Sequence, residues 1–241
     1  MFTLQDNNSM ETEVTSKNEV ILTKEAGWKY LLLALGAFMG LALEAVHFYG
    51  WEPLVYGISS HDWTIWQNIL HWVLTCLTWG GVIYVLVYIA KNKLDFDIFA
   101  KREKMKLWQV FAALFGILFS ITISYFDWGG GFKVINEFNN NGLLKFIFQY
   151  IYYMVETVLF LLIIVFGQKA FEIWTKKHNI PWGGIICGLT WGIFHLISRG
   201  YFDIQNGVSS MLLGFLFGAA YLFTNRDFKK SWLILFLMFA F

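Results

Sequence analysis

Charge is scarce in this chain: 15% of its residues are Asp, Glu, Lys or Arg, against 57% that are hydrophobic. Soluble domains sit nearer a quarter charged, so composition alone excludes an ordinary soluble domain and indicates a membrane protein. The net charge of +1 marks neither a strongly acidic nor a strongly basic surface, and no nucleic-acid partner is expected. Cysteine is nearly absent. Cys76 and Cys187 each lie inside an apolar run at a spacing that matches no disulfide or metal framework, which makes them small buried hydrophobes. The first 27 residues lack an apolar core followed by a small-residue cleavage site, so the first apolar run should itself be the anchor. No internal repeat, low-complexity tract or linker divides the chain. We expect a polar, disordered cytoplasmic tail over 1–27 and a single transmembrane domain over 28–241.

What the chain has in abundance is apolar runs. A hydrocarbon core about 30 Å thick needs about 20 mostly apolar helical residues. Six runs qualify: 28–49, 69–90, 107–125, 144–167, 180–200 and 206–224. A shorter one, "SWLILFLMFAF" from Ser231, reaches only about halfway across. The predicted fold is therefore all-α, a polytopic membrane helical bundle of six full transmembrane helices plus a short C-terminal apolar helix. With the amino end placed in the cytoplasm, the inner segments hold all of the 18 lysines and arginines except Lys133, Lys145 and Arg199. That asymmetry follows the positive-inside bias and fixes the orientation. Glycines repeat every four residues at Gly36 and Gly40, at Gly184, Gly188 and Gly192, and at Gly214 and Gly218. The spacing puts each set on one face, where helix backbones approach closely.

Ionisable residues interrupt these runs, and each is expensive in a bilayer. The first span carries Glu44 and His47 in register with Gly36 and Gly40. The second opens with His71, followed on the same face by Thr75 and Thr78. The fourth carries a stripe of Gln149, Tyr152, Tyr153 and Glu156. The fifth lines up Gly188, Gly192, His195 and Arg199. All point into the bundle as one polar pocket, mostly in its outer half. Four readings stay open at this point. The groups pair with each other, Glu44 with Arg199 for instance, and only fix packing. They hold a divalent metal, since Glu-x-x-His on one helix is a spacing used by carboxylate metal sites in bundles. They carry protons or ions across the membrane. Or they perform hydrolysis, with a carboxylate activating water beside an imidazole.

The C-terminal third narrows the choice. "GGIICGLTWGIFHLISRG" followed by "SSMLLGFLFGAAYLFTNRDFKKSWLILFLMFAF" resembles the CPBP family of intramembrane endopeptidases, the CAAX proteases and bacteriocin-processing enzymes also called Abi. The likeness covers roughly 144–241. The family pattern has a Glu-Glu-x-x-x-Arg helix, an aromatic-x-x-x-His helix, and a closing helix with His and Asn or Asp. Trp191 and His195 match the second motif. Glu156 in "YYMVETVLF" matches the first in part, with Phe160 or Leu161 where the arginine falls. The third motif is absent, and its histidine position reads about Met238.

The resemblance implies a multi-pass protein of a bacterial plasma membrane. It makes Glu156 the general base and His195 its partner, with a membrane-embedded peptide or protein as substrate. Glu44, His47, His71, Gln149, Tyr152, Tyr153, Trp191 and Arg199 would line the site. No cofactor is required by that chemistry, although the metal reading stays open. With the third motif missing, the alternative is a non-catalytic descendant: a membrane scaffold, an immunity factor or a partner-binding protein.

Overall fold

The computed structural model describes residues 5–197 and 201–241, with side chains described over 24–197 and 201–241. The tail expected over 1–27 falls almost wholly outside the described side chains, and Arg199 lies outside the described residues. Among those described no strand occurs, and the protein is an all-α helical bundle.

Helix α1 spans Gln5–Ala45 and continues through a π-helical turn, Val46–Trp51, into the short α2, Glu52–Tyr56. Gly57 ends it in a left-handed conformation (φ 68°) that spares glycine the usual side-chain penalty. Helix α3, Ile65–Leu94, starts at Thr64, whose hydroxyl and backbone exchange hydrogen bonds with Gln67 in a capping box. Its last turn carries Lys91 and Lys93, which complement the negative end of the helix dipole. Helices α4 (Leu107–Asp127), α5 (Lys133–Thr175), α6 (Trp182–His195), α7 (Ile204–Phe223) and α8 (Phe228–Ala240) follow. Among the described residues five helical stretches are long and apolar enough to cross a membrane: 24–56, α3, α4, α5 and α7.

The run expected to span over 180–200 is more compact. Helix α6 has 14 residues, about 21 Å of rise, against a core about 30 Å thick. Pro181 sets its start, and just past its end the Leu196 carbonyl accepts from the Asp203 N–H at 2.8 Å.

Helix α5 is the axis of the bundle, with α1, α3, α6 and α8 all packed on it. Every residue from Leu159 to Phe166 is buried, as expected for a helix that is apolar all round. Its first nine residues leave that axis, because Gly142 (φ 68°, ψ 170°) is non-helical and breaks the element in two. The Tyr153 hydroxyl donates to Glu137 Oε1 at 2.6 Å although the residues are 16 apart in sequence. On a straight helix that separation would be about 24 Å. Residues 133–141, between the apolar runs 107–125 and 144–167, therefore fold back along the start of the main span.

The fold-back has a structural use. Helix α8 has 13 residues, about 20 Å of rise, and the last carbonyls of a helix have no helical N–H partner. Lys133 Nζ donates to the Phe239 carbonyl at 2.8 Å and lies over the Tyr153 and Phe239 rings. The Tyr150 hydroxyl reaches the Ala240 carbonyl at 2.9 Å.

Helices α6 and α7 meet through their glycines. A Cβ added at Gly214 would lie 2.5 Å from the Gly188 nitrogen, and one at Gly184 would lie 2.8 Å from Gly218 Cα. Gly214→Ala must therefore push two backbones apart, at a cost of about 1–3 kcal/mol. Gly80→Ala is the control, since nothing lies within 4 Å of the added carbon there. Alanine is the better helix former by about 1 kcal/mol, so this second variant should match or exceed the parent. Melting of the detergent-purified proteins checks both.

Candidate functional site

A partly open cavity of about 300 Å³ lies among α1, α5 and α6. Among the described residues two carboxyl groups and one imidazole line it: Glu44 from α1, Glu156 from α5 and His195 from α6. The remaining walls are apolar and aromatic, including Phe38, Phe160 and Trp191. Glu156 sits just before the fully buried stretch of α5, one turn from Phe160, so its carboxylate meets the cavity where the packed core begins. No hydrogen bond or ion pair joins it to a described residue. Among the described residues, the charged groups near it are Glu44, Lys133 and Glu137.

His195 is held in one orientation. Its Nδ1 lies 2.9 Å from the Trp191 carbonyl one turn earlier. A carbonyl only accepts, so Nδ1 carries a proton, which makes Nε2 the acceptor nitrogen whenever the ring is neutral. Trp191 in turn is fixed by ring contacts with Phe160 at 4.9 Å, Phe217 at 6.0 Å and His195 itself at 4.8 Å. The aromatic residue four before the histidine therefore serves as both wall and hydrogen-bond acceptor.

Behind Glu44 lies a second polar group. His71 Nε2 is 3.7 Å from Glu44 Oε1, and His71 Nδ1 is 2.7 Å from Glu52 Oε2. Glu52 is 0% exposed and His71 3%. His47 belongs to the same group: its Nδ1 accepts from Trp51 Nε1 at 3.1 Å and its Nε2 pairs with Thr78 Oγ1 at 3.0 Å. The Thr78 hydroxyl passes its own proton to the Leu74 carbonyl. His47 thus donates from Nε2 in this network. Its Nδ1 is also 3.8 Å from Glu52 Oε1. On an uninterrupted α-helix residues 47 and 52 would diverge by about 140°. The π turn inserts a residue and brings them to one side, a feature often found at functional sites. Its cause is local, because Pro53 has no N–H to give to the preceding turn.

The expected pocket therefore resolves into two adjoining parts, with Glu44 facing both. Glu44, Glu156, Trp191 and His195 line the cavity, while His47 and His71 stand behind Glu44 around Glu52. The polar stripe of α5 divides as well. Gln149 and Tyr153 serve Glu137: Gln149 Nε2 donates to Glu137 Oε1 at 3.2 Å and to the Tyr153 hydroxyl oxygen at 2.8 Å. Tyr152 turns toward α3 and packs on Trp79 at 4.8 Å between ring centroids.

Two acidic residues escaped the sequence reading, Glu52 and Glu137. Glu52 precedes a proline and reads as loop, whereas Pro53 in fact opens a new helical turn. Glu137 lies one turn after Lys133, a helical pairing signal present inside the glycine- and asparagine-rich segment. Among the described residues no group of three or more His, Cys, Asp or Glu side chains is arranged to hold a metal ion.

Comparison of the chain with family models, curated proteins and solved structures returns no match. The chemistry must be read from the residues themselves. Glu156, which has no donor among the described residues, and His195, whose Nδ1 is held by the Trp191 carbonyl, are brought from different helices to one cavity.

Proposed function

We propose that the protein is a divergent CPBP-type intramembrane peptidase, with a water held between Glu156 and His195 as its nucleophile. The observation that carries this reading is that both side chains line the same cavity although 39 positions separate residues 156 and 195 in sequence. In this mechanism Glu156 takes a proton from the water while His195 Nε2 accepts its other hydrogen. The oxygen attacks the peptide carbonyl carbon. As the tetrahedral intermediate collapses, the C–N bond breaks and the Glu156 acid returns its proton to the leaving amine. The apolar walls suit a substrate segment that is itself within the bilayer. On this reading the protein lies in a bacterial plasma membrane with its amino end in the cytoplasm, as the lysine and arginine asymmetry favours.

The purified full chain in proteoliposomes, incubated with a panel of membrane-spanning peptides, should release fragments detectable by mass spectrometry. His195→Ala should lower the rate by at least about a hundredfold, the usual contribution of a positioned proton-transfer group. Parent and variant turning over equally would remove the mechanism.

A specific observation favours a second reading. Met238, where the family's closing histidine would stand, is 1% exposed in the hydrophobic core, and no α8 residue lines the cavity. The donors that steady an oxyanion are missing from that side. A non-catalytic scaffold that binds a membrane-spanning partner in the cavity would need none. In that case no peptide is cut, and a co-purifying partner stays bound to His195→Ala.

A further inference from the structure

Some 16 residues beyond Glu156 on α5, about 24 Å along the helix, the loops between helices enclose a second pocket of about 290 Å³. Arg102 enters it from the segment before α4, Lys169 and Glu172 from α5, His178 from the α5–α6 loop, and Arg226 from the α7–α8 loop. Three permanent cations thus face one carboxylate, and that carboxylate is already engaged. Glu172 accepts from Arg226 at 2.7 Å and from Gln168 at 2.8 Å, with His178 at 3.5 Å.

The cations are less well served. Arg102 makes no hydrogen bond or ion pair with a described residue, and its Nε is buried. Arg226 Nε is buried and unpaired as well. Lys169 has no carboxylate within ion-pair distance among the described residues, and its ammonium lies 5.6 Å from the centre of the Phe96 ring. A buried guanidinium N–H without an acceptor is costly until one arrives.

The backbone points the same way. Asn225 (φ 55°) and Arg226 (φ 61°) are consecutive non-glycine residues in the left-handed region. Such a pair persists only where its surroundings impose it. Gln109 Nε2 donates to Asn225 Oδ1 at 2.6 Å, and Asn225 Nδ2 donates to the Lys104 carbonyl at 3.1 Å. The loop is clamped in the conformation that delivers Arg226 to the pocket.

We propose that this pocket binds a phosphate-bearing anion, either the headgroup of an anionic phospholipid or a soluble phosphate compound. Guanidinium forks match the oxygens of a phosphate, and Lys169 adds a point charge. The pocket opens at the end of the bundle where the basic loops gather, the end that lies against anionic headgroups in a membrane. The inference is independent of whether the Glu156 cavity hydrolyses anything.

The test titrates the detergent-purified full chain with short-chain phosphatidylglycerol, short-chain phosphatidylcholine and inorganic phosphate, reading the melting temperature. Arg102→Gln, Lys169→Gln and a control outside the pocket, Lys93→Gln, are titrated alongside. None of the three residues replaced has a protein ion-pair partner to lose. Phosphatidylglycerol should raise the melting temperature saturably and phosphatidylcholine should not. Each pocket variant should shift the midpoint about fivefold or more, and Lys93→Gln should leave it in place. A rise with inorganic phosphate alone, weakened by the same two variants, keeps the site and assigns it to a soluble anion. No rise with either anion overturns the proposal. So does an equal rise with phosphatidylcholine, or a midpoint that the pocket variants leave unmoved or that Lys93→Gln shifts as much.

Discussion

Glu156→Gln should slow peptide cleavage by about 10²–10⁴ while leaving the melting temperature near that of the parent. The size follows from the role: a side chain that accepts a proton in the transition state contributes about that factor. The selectivity follows from the surroundings. Glutamine keeps the volume of glutamate, and the Glu156 carboxylate has no hydrogen bond or ion pair to a described residue that the amide would lose. The measurement is initial rate in proteoliposomes beside thermal unfolding in detergent. A variant that melts early and cleaves slowly in proportion would show a packing role, and a variant that cleaves at the parental rate would end the general-base assignment. Glu156→Asp separates the two further: the carboxylate remains but retreats by one methylene, so an intermediate rate is expected of a positioned base.

Much of this arrangement was legible in the sequence, and the part that was not has a common cause. Helix α4 runs Leu107–Asp127 where hydropathy placed 107–125, and α7 runs Ile204–Phe223 where it placed 206–224. Apolar run length sets those bounds directly. The glycine spacing likewise gave the α6–α7 face, because a four-residue period is a local property. Facing directions within one helix were also readable, which is why Glu44 with its glycines and His195 with Trp191 could be placed toward the interior.

What periodicity does not carry is where the chain departs from it. The π turn at Val46–Trp51 rotates Glu52 onto the side of His47, and the break at Gly142 turns 133–141 back on the main span. Each moves an acidic residue by a whole helix face or more, and each depends on one residue, Pro53 or Gly142. The same holds for the stripe on α5. Tyr152 and Tyr153 are adjacent, so they diverge by about 100°, and only the positions of Trp79 and Glu137 decide what each one meets.

The second large effect is expected behind the cavity. His71→Leu should destabilise the protein by about 3–5 kcal/mol, the range for breaking a buried pair from one side. His71 Nδ1 to Glu52 Oε2 is 2.7 Å, the length of a charge-assisted hydrogen bond, and Glu52 is 0% exposed. The other oxygen, Glu52 Oε1, already has no hydrogen-bond partner, so the leucine would leave the whole carboxylate stranded. The double replacement His71→Leu with Glu52→Leu removes both polar groups and should recover most of that loss, since an apolar pair of similar volume can be as stable as the ion pair it replaces. Denaturant or thermal unfolding of parent, both single variants and the double variant closes the cycle. A coupling near zero would mean that the two side chains are solvated separately. A large coupling with the double variant inactive would assign the pair a further role, because His71 also stands 3.7 Å from Glu44, which lines the cavity with Glu156. Loss of cleavage in a protein that melts like its parent would then trace to a displaced Glu44 carboxylate, not to a weakened bundle.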